Sequence, residues 1–343
     1  MLKKIKKIKI KYNYTYLLLG LLALVLLVFT FARGYMFWRV DTWLSMARQF
    51  PEYGLMVLAV MLCFIIGKID VSFVALGNFV AIVAIMITTQ VIEMGDTTGA
   101  VFGIIAIALV MGAFCGLLNG TLIAGLNIPP ILATLSTQMV FRGITIGLTE
   151  GNAVSGLPTA FSQVIRDTTL FGFRIVQPLV FIAVLLLFTF ILKCTAYGKT
   201  LYMIGSNPVA AKFSAINTTR IVIVTFVIAG VTTTMGTLLM VANMNSARAD
   251  TGASYLMRVI LILVLGGVLP SGGIGKIINV VLSIVIIQII STGVNMFPNL
   301  NTFYRELISA ALLLAVLVAT SYLLGERKRG KPKPMKVKSE ALE

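Results

Sequence analysis

The sequence predicts an all-α integral membrane protein, a polytopic bundle of about ten transmembrane helices with both termini in the cytoplasm. Of its 343 residues, 58% are hydrophobic and only 12% are charged, which is about half the charged fraction of a soluble protein. Apolar segments recur along the chain, and about 20 such residues cross the hydrocarbon core as a helix. Their approximate bounds are 15–31, 54–66, 71–92, 99–124, 128–148, 178–194, 221–242, 256–269, 274–292 and 306–324.

The basic residues predict how the bundle is oriented. Residues 1–11 hold six lysines and no acid, and the tail from Gly325 holds seven basic residues against three acids. Counting ten spans from a cytoplasmic N-terminus places all 16 lysines on the cytoplasmic side, as the positive-inside rule requires. The predicted divisions are a basic N-terminal tail (1–14), a transmembrane domain (15–324) with a cytoplasmic loop (195–220), and a basic C-terminal tail (325–343).

The lipid bilayer is therefore the expected environment of the chain. Nucleic acid is not an expected partner, because no aromatic residues are interleaved with the terminal charges for base stacking.

Two of the apolar segments, 54–66 and 256–269, are too short to cross a membrane as regular helices. Each runs into a turn interrupted by Gly or Pro, at 67–70 and 266–270. Short, broken spans in both halves of a chain are typical of transport pathways. Boundaries misplaced by a few residues would give the same pattern.

The sequence offers few residues for chemistry of its own. It contains no His, and its three cysteines have neither metal-ligand nor disulfide spacing. The stretch nearest to a phosphate-binding loop, Gly198-Lys199-Thr200, has Lys193 where the motif needs Gly and follows an apolar span. We expect no enzyme, no metal site and no cofactor on this chain, so energy for transport must come from a gradient or from another subunit.

An ion-coupled carrier is the alternative in which the chain works by itself. Such carriers hold acids or His at membrane depth. All twelve acids of this chain map to loops, tails or the ends of predicted spans, with Asp70 in the turn after the second segment. Arg142 alone lies well inside a span, and we expect it to face protein or water or to snorkel towards the membrane surface. Ligands for a coupling ion are therefore not evident.

Uncharged polar residues inside the spans are candidates for a translocation path. They can exchange hydrogen bonds with a neutral, hydroxyl-rich solute, although each of them could equally serve contacts between helices. The candidates are Asn119, Thr134, Thr137, Gln138, Asn243, Asn245 and Asn295.

A stripe of small residues marks the fourth span. Gly112, Gly116 and Gly120 recur every four residues, a spacing that lets two helix backbones approach closely. The stripe predicts packing within the bundle, with a dimer seam or a pore wall as the alternatives.

The cytoplasmic loop contains a short predicted helix. Asn207 can act as its N-cap and Pro208 is tolerated at its first position. Val209, Phe213 and Ile216 follow at helical spacing. This apolar face suits either the lipid surface or a groove in a partner protein.

Short motifs follow one another in a fixed order from about Leu55 to Ala319. They are Ile69-Asp70-Val71-Ser72, Gly116-Leu117-Leu118-Asn119-Gly120, Ile128-Pro129-Pro130, Phe141-Arg142-Gly143, Leu148-Thr149-Glu150-Gly151, Tyr197-Gly198-Lys199, Tyr202 with Ile204-Gly205, Asn207-Pro208 with Ala210-Ala211, Leu265-Gly266-Gly267 and Ser271-Gly272-Gly273. In this order they resemble the permease subunits of bacterial ribose-type ABC importers.

The resemblance implies a permease of the bacterial inner membrane that pairs with a second permease, identical or different. Two cytoplasmic ATPase subunits would carry ATP and Mg²⁺, and an external solute-binding protein would deliver a monosaccharide or similar polyhydroxy solute. It further implies that 195–216 contacts the ATPase. The coupling residues would be Tyr197, Gly198, Lys199, Gly205, Asn207, Pro208, Ala210, Ala211 and Phe213.

The chain departs from the resembled family at several positions. Lys68 and Val74 stand where glycines are common, Lys199 replaces a common Arg, and Ala215 replaces a common Gly. The stretch 246–254 is more similar to permeases of the autoinducer-2 importer than to ribose permeases, so autoinducer-2 is the alternative solute.

Overall fold

The computed structural model describes residues 14–297 except 156, 171 and 172, together with 304, 307, 310, 311, 314 and 318. The chain divides into two compact units, Met1–Gly293 and Val294–Glu343. We use "inner" and "outer" for the helix ends that the lysine distribution assigns to the cytoplasm and to the exterior.

Helices make up almost all of the regular structure in the described residues. They are α1 (Tyr14–Phe37), α2 (Val40–Ile65), α3 (Phe73–Met86, continued by a π-helical turn Ile87–Val91), α4 (Thr98–Ala124), α5 (Pro130–Thr149), α6 (Thr159–Ser162, followed by a π-helical turn Gln163–Asp167), α7 (Val176–Cys194), α8 (Ala196–Ser206), α9 (Pro208–Phe213), α10 (Thr218–Met244), α11 (Tyr255–Leu265) and α12 (Ile277–Asn295). Two strands of two residues, β1 (Thr169–Leu170) and β2 (Phe173–Arg174), pair antiparallel between α6 and α7.

Among the described residues, eight helices are long and apolar enough to span a membrane, and α11 is a shorter apolar helix. These nine helices coincide with the first nine predicted segments, so the prediction of an all-α polytopic membrane fold is confirmed. The tenth predicted segment, 306–324, lies almost entirely outside the described residues.

The second span is longer than predicted. α2 begins at Val40 rather than near residue 54, because Asp41, Arg48 and Glu52 interrupt the apolar run without ending the helix. Every residue from Pro51 to Ile65 is buried, and α2 packs against α7, α10 and α11. The predicted short span at 256–269 is confirmed, since α11 has only 11 residues.

The glycine stripe of α4 packs directly against α10. A Cβ atom placed on Gly116 would clash with the carbonyl oxygen of Phe226, and one on Gly120 would lie 2.8 Å from the Cα of Ile223. Gly230 of α10 in turn lies against the carbonyl oxygen of Gly112. Packing within the bundle, the first of the three predicted alternatives, therefore accounts for the stripe.

We expect Gly116→Ala to lower the free energy of unfolding by about 1–3 kcal/mol, the usual cost of overpacking a close-packed interior. The new methyl group would meet the backbone of Phe226, which moves only if the two helices separate. Thermal unfolding of the purified chain in detergent measures the effect. The matched control is Gly147→Ala on α5, where an added Cβ meets nothing within 4 Å. Equal melting temperatures for both variants would contradict the packing argument.

Candidate functional site

The loop between α7 and α10 folds into α8 and α9, each capped by a side chain. The Thr195 hydroxyl accepts a hydrogen bond from the backbone N–H of Gly198 at 3.1 Å. The side-chain amide oxygen of Asn207 accepts a hydrogen bond from the backbone N–H of Ala210 at 3.0 Å, so the predicted helix start at Asn207-Pro208 is confirmed.

α9 ends at Phe213, so the prediction that its apolar face continues to Ile216 is wrong. The reason lies at Ala215, whose φ of 59° is left-handed. That conformation costs an L-residue roughly 1–2 kcal/mol, whereas glycine, the residue common here in the resembled family, adopts it freely.

The two faces of α9 differ in exposure. Val209 is 62% exposed and Phe213 is 89% exposed, whereas Ala211 is 2% exposed. α9 therefore presents two apolar side chains to its surroundings while Ala211 is packed inside the chain. Of the other coupling candidates, Gly198 is buried and Lys199 is exposed.

α8 contacts the inner end of α2 and the turn after α11 backbone to backbone. We call the contact between Gly67, Gly205, Gly272 and Gly273 the glycine junction. A Cβ on Gly205 would clash with the carbonyl oxygen of Ile65 and with the backbone nitrogen of Gly273, and that nitrogen donates to Ile65 at 2.8 Å. The φ angles of the other three glycines lie between +70° and +84°. The junction therefore requires glycine at each position.

Two tyrosines fasten α8 to the rest of the bundle. The Tyr197 hydroxyl lies 2.7 Å from the hydroxyl of Thr225 on α10, and Tyr202 donates to the carbonyl of Gly275 at 2.8 Å. Burial raises the pKa of Tyr197 to about 12, so its phenol remains a neutral hydrogen-bonding group. Movement of α8 must therefore involve α2, α10 and the turn at 266–276.

A buried polar cluster, the inner cluster, lies beside the turn between α2 and α3. One carboxylate oxygen of Asp70 accepts hydrogen bonds from the N–H and the hydroxyl of Ser72 at 2.8 and 2.7 Å. Asn119 of α4 donates to the Ser72 hydroxyl at 2.8 Å. Thr134 of α5 accepts from the N–H of Val71 at 3.4 Å. Burial raises the pKa of Asp70, while its bonds from Ser72 lower it.

Lys68 and Val74, which stand where the resembled family commonly has glycine, cause no backbone strain. Gly67 supplies the left-handed residue at φ 70°. Lys68 is not among the residues with positive φ, and Val74 lies within α3. The remaining motif residues also have clear backbone roles: Pro129 and Pro130 begin α5, Gly266 follows α11, and Gly267 has a φ of 73°.

A second polar cluster, the outer cluster, surrounds Glu52 and was missed by the sequence analysis. The Glu52 carboxylate accepts hydrogen bonds from the Tyr255 hydroxyl and from the Asn243 amide at 2.9 Å. Gln177 of α7 donates to Asn243 at 2.6 Å. The prediction that every acid lies outside the spans or at their ends is therefore wrong at Glu52. Extending the predicted second span back through Pro51 would have placed Glu52 inside a helix.

Further side chains extend the outer cluster to α12. The Tyr53 hydroxyl donates to Gln288 at 2.7 Å. The Arg258 guanidinium lies over the rings of Tyr53 and Tyr255, 5.6 and 5.4 Å from their centroids. A cation over aromatic rings is stabilised by their quadrupoles, so the charge of Arg258 is held near Glu52.

The prediction that Arg142 is the single arginine well inside a span is also wrong, because Arg48 lies in α2.

The predicted path residues do not come together. Asn119 and Thr134 belong to the inner cluster, and Asn243 belongs to the outer one. Gly120, the residue after Asn119, packs against Ile223 of α10. Asn243 lies 20 residues farther along α10, or about 30 Å, so the two clusters are far apart.

The other path candidates lie elsewhere. Asn245 accepts a hydrogen bond from Ser162 at 2.9 Å, and Thr137 donates to the carbonyl of Thr134 at 3.2 Å. Gln138 is partly exposed on α5, and Asn295 ends α12.

α5 leaves one face uncovered in this chain. Its buried side is formed by Ala133, Thr134, Thr137, Phe141, Thr145 and Thr149. Arg142 is exposed on the other side and has no ion-pair partner among the described residues. Because an arginine at the bilayer centre costs about 2.5–3.5 kcal/mol on insertion scales, the Arg142 side chain favours protein or water over lipid as its neighbour.

Comparison with known proteins identifies a family. A family model described as "Branched-chain amino acid transport system / permease component" matches residues 42–317. The autoinducer 2 import system permease protein LsrD of Yersinia enterocolitica is 30% identical over 83% of this chain and 85% of the relative. The proteins of the same name from Yersinia pestis and Yersinia pseudotuberculosis are 31% identical over 83% of this chain and 84% of theirs. No solved structure matches the chain.

Proposed function

The chain belongs to the family of branched-chain amino acid transport system permease components, and we propose that it imports a monosaccharide or similar small polyhydroxy solute, as its resemblance to ribose-type permeases implies. It is a multi-pass ABC permease of the bacterial inner membrane. ATP hydrolysis would take place in separate cytoplasmic subunits, and an external binding protein would deliver the solute. Autoinducer-2 is the first solute to test, because the relatives named above import it.

The glycine junction is the observation that carries the proposal. It attaches α8, which lies in the cytoplasmic loop, directly to the inner end of α2. A protein that bound α9 from the cytoplasm could therefore move α2, because the backbones of α8 and α2 are in direct contact and no side chain between them can absorb the movement.

The exposed side chains of α9 would provide the contact with the ATPase. Val209 and Phe213 are large, apolar and uncovered, and a short helix with such a face can insert into a groove of a partner. Ala211 would act indirectly, since it packs inside the chain. Tyr197, Gly198 and Gly205 would hold α8, and Asn207 with Pro208 would begin α9.

The uncovered face of α5 would line the solute path together with a second permease. Arg142 is exposed on this helix, and the half-buried Gln138 lies one turn before it. A second permease seated there would remove Arg142 from lipid and enclose a polar route. The inner cluster, including Asn119 and Thr134, would then border the cytoplasmic end of that route.

The proposal is tested by reconstituting the chain in liposomes with its cognate ATPase, a second permease and its binding protein. Radiolabelled ribose and autoinducer-2 serve as separate probes. We expect uphill accumulation of one probe only when ATP and the ATPase subunits are present. Accumulation by this chain alone that collapses with a protonophore would contradict the proposal and indicate an ion-coupled carrier, with Glu52 as its buried acid.

We expect Phe213→Ala to reduce ATP-driven uptake at least tenfold while the variant still inserts into the membrane. Removing the most exposed aromatic side chain of α9 takes away its largest apolar contact with the ATPase. The matched control is Phe31→Ala on α1, where Phe31 is 87% exposed but far from the cytoplasmic loop in sequence. Wild-type uptake by the Phe213 variant, measured in the same liposomes, would show that α9 does not contact the ATPase.

A further inference from the structure

The connection between α10 and α11, residues 245–254, folds back into the bundle instead of lying on its outer surface. The amide of Asn78 donates to the carbonyl of Thr251 at 2.8 Å and to that of Ala249 at 3.3 Å. Asn78 lies on α3, and its span continues for 13 more residues to Val91, or about 20 Å. We call the whole connection, residues 245–254, the re-entrant turn, and its tip at Ala249 and Thr251 therefore lies well below the outer end of α3.

Two further contacts support the depth of the turn. Gly252 lies beside Met240, four residues before the end of α10, with an added Cβ 2.9 Å from its sulfur. α11 starts at Tyr255, which bonds to Glu52. Glu52 follows Trp43 by nine residues on α2, about 14 Å, and tryptophans mark membrane interfaces. This depth accounts for the length of α11, which begins part-way through the membrane.

Glu52 closes the neck of the turn. Its two hydrogen-bond donors, Asn243 and Tyr255, flank residues 245–254 on either side. A third attachment joins Ala247 to Val154, which lies in the segment that follows α5. Their backbones exchange two hydrogen bonds, at 3.0 and 2.9 Å. The turn is therefore fixed at its neck, at one side and at its tip.

The turn presents a charged pair to its surroundings. Arg248 and Asp250 form an ion pair at 3.2 Å, and their side chains are 54% and 52% exposed. Irregular backbone at membrane depth occurs only where it is buried in protein or lines a water-filled cavity. Because Arg248 and Asp250 are exposed, this side of the turn is not buried in protein, so we infer that it borders water.

We propose that the re-entrant turn is a solute-contact site, in which Arg248 and Asp250 bind adjacent hydroxyl groups of a polyhydroxy solute. The guanidinium donates hydrogen bonds in a planar fork, and the carboxylate accepts them from hydroxyls. Side by side, the two groups match a vicinal diol, which both donates and accepts. Glu52 and Asn78 are positioning residues that hold the turn in place. The solute class rests on the proposed function.

The test uses the complete importer in liposomes, with ribose and autoinducer-2 as probes. Arg248→Gln and Asp250→Asn remove one charge each, and the double variant Arg248→Asp/Asp250→Arg reverses the pair. The matched control is Arg39→Gln, which breaks another exposed outer pair, Arg39 with Asp41 at 3.0 Å. We measure maximal uptake at saturating loaded binding protein and the ATP hydrolysed by the same liposomes.

We expect each single variant to lose at least tenfold in uptake while ATP hydrolysis continues, because each one removes a charge-assisted hydrogen bond to the solute, and tenfold corresponds to about 1.4 kcal/mol. The reversed pair should remain impaired, since it presents donor and acceptor in the wrong places. Rescue by the reversed pair would overturn the proposal and leave only a structural ion pair. Unchanged uptake in all three variants would overturn it as well. Failure of the wild-type importer to accumulate either probe would instead count against the proposed function.

A second measurement tests whether the turn borders water. Ala253→Cys places a thiol at an exposed position of the turn, and an impermeant methanethiosulfonate is added from outside. We expect rapid labelling that slows when the transported probe is present. Absence of labelling in a variant that still transports would show that the turn is sealed from the outer water, which contradicts the proposal.

Discussion

The direct backbone contact between α8 and the inner end of α2 is the constraint on which the rest of the structure depends. At Gly205 there is no room for even one carbon atom beyond the main chain. Side chains can change rotamer and absorb small movements, but two backbones in contact cannot. Any displacement of the loop between α7 and α10 must therefore reach α2, which is buried from Pro51 to its end.

α2 joins the glycine junction at its inner end to Glu52 in the outer part of the bundle. Glu52 holds the neck of the re-entrant turn, so the loop between α7 and α10 and the proposed solute-contact site are linked through one continuous helix. The inner cluster around Asp70 lies beside the same helix, in the turn that follows it. Packed interiors respond to small shifts by switching between arrangements rather than by bending gradually, which suits a permease that opens alternately to each side.

Much of this architecture follows from the sequence because hydropathy and lysine placement are local signals. Nine spans, the capped start of α9 and the close packing of α4 were all predictable. The outer half of α2 was not, since its charged residues look like a loop until Glu52 finds its partners 191 and 203 residues away. The re-entrant turn escaped for the same reason: a short polar stretch looks like an outer loop unless its contact with Asn78 is known.

The most direct test of the account is Gly205→Ala in the complete importer, with Gly20→Ala, where an added Cβ meets nothing within 4 Å, as the control. The account predicts that the Gly205 variant still assembles and hydrolyses ATP but accumulates no solute, because α8 no longer fits against α2. Solute accumulation at the wild-type rate in an assembled Gly205→Ala importer would contradict it.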